Sequence, residues 1–508
     1  MISVSSSAKS TEKNSANEKG LLGIISNEKG LLGISTNIDI VADEYDDVTY
    51  TEEEEKAVVK KIDRIVLPLL CFVFFSQYLD KQSLSYCAVF GLKKDLHLTG
   101  NQYSWLTSGF YLAQLASQFV YIYLLSRFPI KLVTGISIII WAAVCMCLAA
   151  PTNFAGMVTV RCFLGFFEGC VSPAFVMVTS NYYKKSEHGF RTAIWISMNA
   201  VAQILCTFLI YGIGKNTHLS IAVWRIAFIV CGCVTLVAGA LFLAFVPFTL
   251  KNAWFFNDRE RQIAVKRLLS ESDQGEKDLW DWSQARECIG DWGTWFSFLS
   301  GILVTITCGP IIFSSLIIND MGYDVYKTLE YGSPSGGVQF LCIWVGVLLL
   351  YLFPKQRCVV ISVLILIPIV GNIMLLVMRE RGGWGVIVGS WLGSCITSFY
   401  AILLSLNASN IRGNTKKSIV NNMFYIGYSV GCVIYPQWWN YTKDHTYKNG
   451  LIVDIAAWAF MEVVIYIYRF KCIHENKRRD NLSEDEIPHY PENMDLTDVQ
   501  DLRHRYSY

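Results

Sequence analysis

Apolar residues in this chain are gathered into long runs separated by short polar stretches. A run of about 18 or more apolar residues is long enough to cross a lipid bilayer as a helix. We identify twelve such runs, at 64–87, 102–125, 131–150, 154–177, 191–213, 222–246, 295–318, 336–353, 358–378, 384–406, 418–437 and 451–470. The pattern therefore predicts an all-α membrane protein with twelve transmembrane helices.

Polar segments divide these runs into two bundles of six helices. The predicted organisation is a disordered cytoplasmic tail (1–60), a first bundle (61–246), a cytoplasmic central loop (247–294), a second bundle (295–470) and a cytoplasmic tail (471–508). Inside the central loop, the stretch NDRERQIAVKRLL alternates apolar and charged residues, which predicts a short helix. The last tail is highly charged, and we expect it to be mobile.

Basic side chains predict the orientation of the helices. Lysine and arginine concentrate in cytoplasmic loops of membrane proteins. With the N-terminus inside, the inner loops carry most of the basic residues, among them Lys184, Lys185, Arg412, Lys416 and Lys417. Both termini are therefore predicted to be cytoplasmic. We expect a multi-pass protein of the plasma membrane, with the endoplasmic reticulum and the vacuole as alternatives.

Composition narrows the classes of function. The chain is 53% hydrophobic and 17% charged, and its net charge of +1 gives no reason to expect a nucleic-acid partner. Its 16 cysteines lie mostly within apolar runs, without the paired spacing of a zinc site. No nucleophile–base arrangement or nucleotide-binding loop is evident, so we expect neither an enzyme nor a bound metal or cofactor.

Two opposite charges stand within the fourth apolar run, in RCFLGFFEGCVSP at 161–173. Charged side chains at this depth usually face a cavity or a partner. Arg161 and Glu168 are seven residues apart, so they share one helix face and lie about 10.5 Å apart along the axis. That distance is too long for a direct pair, and each side chain needs another partner.

The first run supplies a partner, because Asp80 and Lys81 stand side by side near its end. Asp80 and Arg161 have overlapping predicted depths, which predicts a buried pair between them and leaves Glu168 alone near the centre. Desolvation favours the neutral form of a lone carboxylate, which could then exchange protons near neutral pH. The competing interpretation is that Arg161 and Glu168 only lock neighbouring helices together, and that Asp80 and Lys81 simply lie in a hydrated helix end.

The basic side chains indicate the substrate. Arginine offers a planar fork of donors that suits carboxylate, sulfonate or phosphate groups. A cavity that presents Arg161 and Lys81 therefore favours an anion. Asn199 and Gln203, four residues apart in the fifth run, either reach the substrate or hydrogen-bond between helices.

The motifs YLDKxxLxY and RxxxGxxEGxxxP resemble those of the anion:cation symporter family of the major facilitator superfamily. More specifically, the chain resembles the fungal allantoate permease group in YYKKSEHGFRTAIW, NAWFFNDRERQIAVKRL and IRGNTKKS, in that order. The resemblance covers residues 60–508. It implies two rocking six-helix bundles around a central cavity.

Residue roles follow from the resemblance by motif position. Asp80 and Glu168 match the protonation sites of the family, and Lys81 and Arg161 match its basic residues on the substrate side. Tyr78 would line the pocket. Lysine replaces the usual arginine after Asp80, which weakens a bidentate grip there.

These observations predict a proton-coupled symporter that imports a small organic anion, such as an allantoate- or ureidosuccinate-like compound, a sulfonate or a vitamin-related acid. The expected protein is a monomer in the lipid bilayer, with the proton as coupling ion. One alternative is transport of a zwitterionic or cationic sulfur compound or vitamin, such as cysteine or a thiamine-related compound. Another is a nutrient sensor that does not transport.

Overall fold

The computed structural model describes residues 49–99, 101–216, 220–269, 281–379, 381–439, 447–483 and 495–508. All regular secondary structure in these ranges is helical. Most of the predicted N-terminal tail, at 1–48, and the part of the central loop at 270–280 lie outside the described residues.

The first helix, α1 (Glu52–Cys87), begins inside the segment predicted as tail. Thr51 and Glu54 cap it reciprocally, since each side chain accepts a hydrogen bond from the other residue's backbone N–H. Four glutamates in the first turn complement the positive end of the helix dipole. The apolar run thus marks only the membrane part of a longer helix.

The first half of the chain continues with α2 (Gln102–Arg127), α3 (Ile130–Cys147), α4 (Phe154–Glu168), α5 (Val171–Tyr182), α6 (Lys185–Gly214) and α7 (Val223–Phe245). The predicted fourth span is two helices, α4 and α5, which meet at Gly169 and Cys170. The main packing pairs in this half are α3 with α7, α2 with α4, and α1 with α6.

The described part of the central loop includes the short α-helices α8 (Asp258–Leu269) and α9 (Trp282–Gly290). Helix α8 is the one that the alternating pattern indicates. Its Ile263 and Ala264 are buried, and its Glu260 accepts a hydrogen bond of 2.6 Å from Lys61 of α1. The loop is therefore attached to the first half by both apolar and ionic contacts.

The second half consists of α10 (Trp292–Ile306), α11 (Gly309–Asp320), α12 (Val325–Gly332), α13 (Pro334–Leu352), α14 (Arg357–Met378), α15 (Trp384–Gly393), α16 (Thr397–Asn410), α17 (Asn414–Trp438) and α18 (Lys448–Asp480). The predicted seventh and tenth spans are each two helices, whereas the predicted eighth span is α13 alone and follows the separate helix α12. Proline stands in the first turn of α11 and of α13, where it needs no backbone donor.

Nine helical segments of the described residues are long and apolar enough to cross a membrane, against the twelve spans that the sequence predicts. The other three predicted spans are α1, α2 and α17, which have 36, 26 and 25 residues. About 20 residues suffice for a crossing, so their length is adequate. Their apolar character is lower because they carry polar side chains such as Gln77, Gln114 and Ser429, which are buried in the protein.

The end of the chain is docked, so the expectation of a wholly mobile C-terminal tail is wrong for 495–508. Arg479 of α18 donates hydrogen bonds to the backbone oxygens of Asp498, Asp501 and His504. Ser507 donates its backbone N–H to Asn410, 2.7 Å away. Charged residues of this segment, which suggested mobility, instead pair with residues near helix ends, as Asp498 does with Lys416.

Lys416 at the start of α17 is the centre of a network of ion pairs near the docked C-terminal segment. Its side chain is fully buried, and its ammonium lies 2.8 Å from Glu287, 3.2 Å from Asp291 and 2.9 Å from Asp498. These carboxylates belong to α9, the residue before α10 and the C-terminal segment. A single cation therefore joins the second half of the chain to the central loop and to the C-terminal segment.

Replacing Lys416 with methionine is expected to lower the thermal denaturation midpoint of the purified protein by roughly 5–10 °C, because the buried carboxylates lose their counter-ion. Lys355→Met is the matched control, since Lys355 is exposed and forms no ion pair within the described part of the chain. Equal midpoints for the two variants would show that the network does not stabilise the protein.

Candidate functional site

Two cavities lie next to the charged residues of α1 and α4. The larger encloses about 1090 Å³ of empty volume, including space open to solvent, and is lined by both halves of the chain. The smaller encloses about 340 Å³ and is lined by residues that include Lys81, Phe110 and Arg161. Lys81 lines both cavities, so its ammonium lies at their junction.

The first half contributes most of the hydrogen-bonding groups of the larger cavity. Tyr78 and Lys81 reach it from α1, and Asn199 reaches it from α6. Four glutamines complete this polar lining: Gln77, Gln82, Gln114 and Gln118. Side-chain amides both donate and accept hydrogen bonds, so this wall suits a polar solute.

Gln203 lies elsewhere. It is fully buried, and its amide donates a hydrogen bond of 2.7 Å to Ser335 Oγ of α13. It lines neither cavity in this conformation. Of the two residues predicted together on α6, Asn199 faces the cavity and Gln203 joins the two halves.

Glu168 is paired with Lys81. The Lys81 ammonium lies 2.8 Å from Glu168 Oε1, and the glutamate side chain is fully buried while the lysine is 19% exposed. Neither carboxylate oxygen has a hydrogen bond of regular geometry. The expectation that Glu168 stands alone is therefore wrong.

Asp80 does not pair with Arg161. It is 1% exposed, and its Oδ2 accepts a hydrogen bond of 3.3 Å from Thr235 Oγ1 of α7. Adjacent helix positions differ by about 100° around the axis, so Asp80 and Lys81 point to different sides of α1. The predicted depths were compatible with an Asp80–Arg161 pair, but the rotation of α1 turns Asp80 toward α7 instead.

Arg161 is held beside the smaller cavity and forms no ion pair with the described residues. Its guanidinium carbon lies 5.8 Å from the Phe110 ring centroid, and the Lys81 ammonium lies 5.9 Å from the same centroid. The side chain is 3% exposed, and the buried Nε has no hydrogen-bond partner among the described residues. A buried donor without a partner is costly, so a hydrogen-bond acceptor on a bound solute would be stabilised at this position.

Close packing of α4 against α2 fixes these charges. A Cβ on Gly165 would overlap the backbone oxygen of Phe110, so only glycine allows the two helices to approach this closely. Gly165 lies between Arg161 and Glu168 along α4. The contact therefore sets the position of both charges relative to Phe110.

Comparison with protein families decides the identity of the fold. The model of the Major Facilitator Superfamily matches residues 70–436. The chain belongs to the major facilitator superfamily. Proteins of this family are transporters, and the chain is therefore a multi-pass membrane transporter and not an enzyme.

Fungal transporters resemble this major facilitator protein along most of its length. An uncharacterized transporter of Schizosaccharomyces pombe is 34% identical over 472 residues, which cover 91% of this chain and 92% of the relative. The allantoate permease of Saccharomyces cerevisiae is 29% identical, covering 92% of this chain and 89% of the permease. A thiamine pathway transporter of the same yeast is also 29% identical, covering 92% and 90%.

Solved structures share the fold. The proton:xylose symporter XylE from E. coli, bound to 6-bromo-6-deoxy-D-glucose, has a TM-score of 0.62 at 12% identity and covers 78% of this chain and 95% of that structure. A bacterial homolog of the human lysosomal transporter Spinster has a TM-score of 0.59 at 12% identity, covering 82% and 97%. At these identities the likeness concerns the fold alone.

The halves of the transporter are joined on one side of the larger cavity. Ser108 of α2 donates a hydrogen bond of 2.8 Å to the Val433 backbone oxygen, and Tyr326 donates one of 2.7 Å to Gly214. Ser85, near the end of α1, lies 2.7 Å from Ser315. Between described residues, the hydrogen bonds that join the halves lie level with the cavity or on the side reached by the C-terminal end of α1. The hydrogen bonds therefore hold the two halves together on that side of the cavity.

Asp454 of α18 is a buried charge that we did not identify from the sequence. It is fully buried, and its Oδ1 accepts a hydrogen bond of 3.3 Å from the Trp439 indole. It stands within LIVDIAAWAF, so the rule that selects Arg161 and Glu168 also applies to it. Asp454 lines neither cavity.

Proposed function

We propose that this transporter is a proton-coupled symporter that imports a small organic anion, of the allantoate, ureidosuccinate, sulfonate or vitamin-acid type. The observation that carries the proposal is the sign of the charges at the cavities. The charged side chains among the described lining residues are Lys81 and Arg161, and both are cationic. The likeness to an allantoate permease supports this substrate class.

The carboxylates of Asp80 and Glu168 are not exposed to either cavity. Glu168 lies behind Lys81, and Asp80 is turned toward Thr235. Neither lines a cavity, so an entering solute meets the cations first. An anion gains attraction to Lys81 and Arg161, whereas a cation would meet repulsion in a site of low dielectric constant.

Exchange of partners at Lys81 supplies the coupling. In the empty state Lys81 and Glu168 neutralise each other at 2.8 Å. Protonation of Glu168 weakens that pair and frees the ammonium for the substrate anion. Lys81, Glu168 and the anion together are again neutral in the loaded state, and Arg161 keeps its charge in both states, so entry of proton and anion together leaves the net charge of the site unchanged. A buried charge without a partner is strongly disfavoured, which opposes binding of either one alone. Asp80 is the second proposed proton site. It lines neither cavity, so it would not contact the substrate directly.

The orientation follows from the basic loops. Both termini are placed in the cytoplasm by the excess of lysine and arginine on that side. With this orientation, the side of the cavity where hydrogen bonds join the halves is the outer side, and we infer an inward-facing state. Uptake across the plasma membrane would require the Ser108–Val433 and Tyr326–Gly214 contacts to open.

Transport of a thiamine-related or other cationic compound is the second candidate, favoured by the likeness to the thiamine pathway transporter. It requires a carboxylate that faces the substrate. In this conformation Glu168 is fully buried behind Lys81, so the anion remains the better-supported substrate.

Uptake of a labelled compound panel by cells that express the transporter tests the proposal. Uptake of an anion is expected to rise about tenfold per unit fall in external pH while proton supply limits transport, because each cycle consumes one proton. A protonophore is expected to abolish accumulation. Cells that lack the transporter are the control. Accumulation indifferent to both treatments would contradict proton coupling, and accumulation of cations alone would contradict the anion.

A further inference from the structure

The two walls of the larger cavity differ in chemistry. The first half lines it with amides, the Lys81 ammonium and the rings of Phe74, Tyr78 and Tyr111. The second half contributes three tyrosines, Tyr400 of α16 and Tyr425 and Tyr428 of α17. Aliphatic side chains lie beside them: Val304, Ile311, Ile312 and Ile396. No charged side chain lines this wall within the part of the chain that the structure describes.

The tyrosines form a connected wall of rings. The ring centroids of Tyr400 and Tyr428 are 6.2 Å apart with an interplanar angle of 62°. Phe424 packs behind them, 5.9 Å from Tyr400 and 5.7 Å from Tyr425. Aromatic rings at such spacings attract one another beyond their burial, so the wall keeps a defined shape.

Contacts between α10 and α17 hold the wall in place. Thr305 Oγ1 donates a hydrogen bond of 3.0 Å to the Tyr428 backbone oxygen. A Cβ on Gly427 would overlap the backbone oxygen of Phe298, so the two helices touch through their backbones. Tyr425 and Tyr428 therefore stand on a fixed segment of α17, which favours selection by shape over adaptation.

We propose that this tyrosine wall (Tyr400, Tyr425 and Tyr428) selects substrates that carry an uncharged planar group, an aromatic ring or a conjugated amide, at the end opposite their single anionic group. The inference rests on the proposed anion site at Lys81 and Arg161 and specifies what the rest of the substrate must be. A planar group stacks on tyrosine faces with little loss of conformational freedom. A second charge would be buried against this wall with no counter-ion, so dianions are rejected, and the dicarboxylate ureidosuccinate falls outside the narrowed substrate range.

Three probes separate these requirements. Benzoate is a planar monoanion, cyclohexanecarboxylate has the same charge and nearly the same size without a flat ring, and terephthalate adds a second carboxylate at the far end. Dissociation constants come from thermal-shift titration of the purified full-length transporter. Benzoate is expected to bind about three- to tenfold more tightly than cyclohexanecarboxylate, and terephthalate at least about tenfold more weakly than benzoate.

Substitutions in the tyrosine wall test whether it causes the preference for benzoate over cyclohexanecarboxylate. Tyr400→Leu combined with Tyr428→Leu is expected to bring the benzoate constant to that of cyclohexanecarboxylate. The variants Tyr400→Phe and Tyr428→Phe keep the rings and should keep the preference. Tyr466→Leu, at a position of α18 that is 41% exposed, is the control for loss of a tyrosine outside the cavity.

The outcomes distinguish this inference from the proposed function. Equal binding of benzoate and cyclohexanecarboxylate, or tight binding of terephthalate, would overturn selection by the tyrosine wall and leave the anion site intact. A benzoate preference that survives the double leucine substitution would also overturn it. If neither monoanion binds, the anion site itself is contradicted.

Discussion

A Glu168→Gln variant is expected to exchange substrate across a membrane but to lose accumulation against a concentration gradient. Glutamine has the shape and polarity of a protonated glutamate but cannot release a proton. Lys81, which is 2.8 Å from Glu168 Oε1 in the parent protein, would then be permanently available to the anion. The carrier should therefore reorient with substrate bound and fail to couple that movement to a proton gradient.

Counterflow in reconstituted vesicles measures the two activities separately. Vesicles preloaded with unlabelled substrate should still take up the label, while an imposed proton gradient should no longer concentrate it. Glu462→Gln is the matched control, because Glu462 is a glutamate of the membrane helix α18 that lines neither cavity. If Glu168→Gln still concentrates substrate under a proton gradient, the coupling site lies elsewhere.

An Arg161→Lys variant is expected to lose at least about tenfold in transport, although the charge is kept. The guanidinium lies over Phe110 with its Nε unpartnered, and its planar fork can hold both oxygens of a carboxylate. A lysine ammonium offers a single point of contact from a flexible stem. The expected defect is therefore in substrate affinity, and it should be measured as an increase in KM.

Lys81→Arg provides the contrast for this experiment. It also keeps the charge, and arginine is the residue that the resemblance to the anion:cation symporters places after the aspartate. Transport near the parent level is expected for Lys81→Arg. Both variants must show the parent amount of protein at the cell surface and the parent denaturation midpoint. An Arg161→Lys carrier with unchanged KM would show that Arg161 does not hold the anion by two hydrogen bonds.

The sequence was sufficient to place the apolar spans and to single out Arg161 and Glu168, but not to identify Asp454 or to pair the charges. Apolar runs and the spacing of Arg161 and Glu168 give depth and relative direction within one helix. The pairing of Lys81 with Glu168 depends on how α1 is rotated against α4 and α7. Rotation is set by packing with distant segments, and neighbouring positions such as Asp80 and Lys81 then acquire different surroundings.

Contacts between distant segments also explain why the sequence did not predict the tyrosines that line the cavity or the docking of the C-terminal segment. Tyr400, Tyr425 and Tyr428 stand in apolar helices, where aromatic residues are usually core, and only the fold shows that they line a cavity. The C-terminal segment is charged, but its Asp498 meets Lys416 from a distant part of the sequence. From composition alone, such a charged segment is predicted to be exposed to solvent.

Substrate-driven proton movement tests proton-coupled anion import most directly. Vesicles that contain the purified transporter and a pH-sensitive dye in the lumen are held at equal internal and external pH, and allantoate or the panel compound with the fastest uptake is added outside. Coupled entry of proton and anion predicts that the lumen acidifies as substrate enters, and that Glu168→Gln vesicles show no acidification. Entry of the labelled anion into parent vesicles without any change in luminal pH would contradict the coupling.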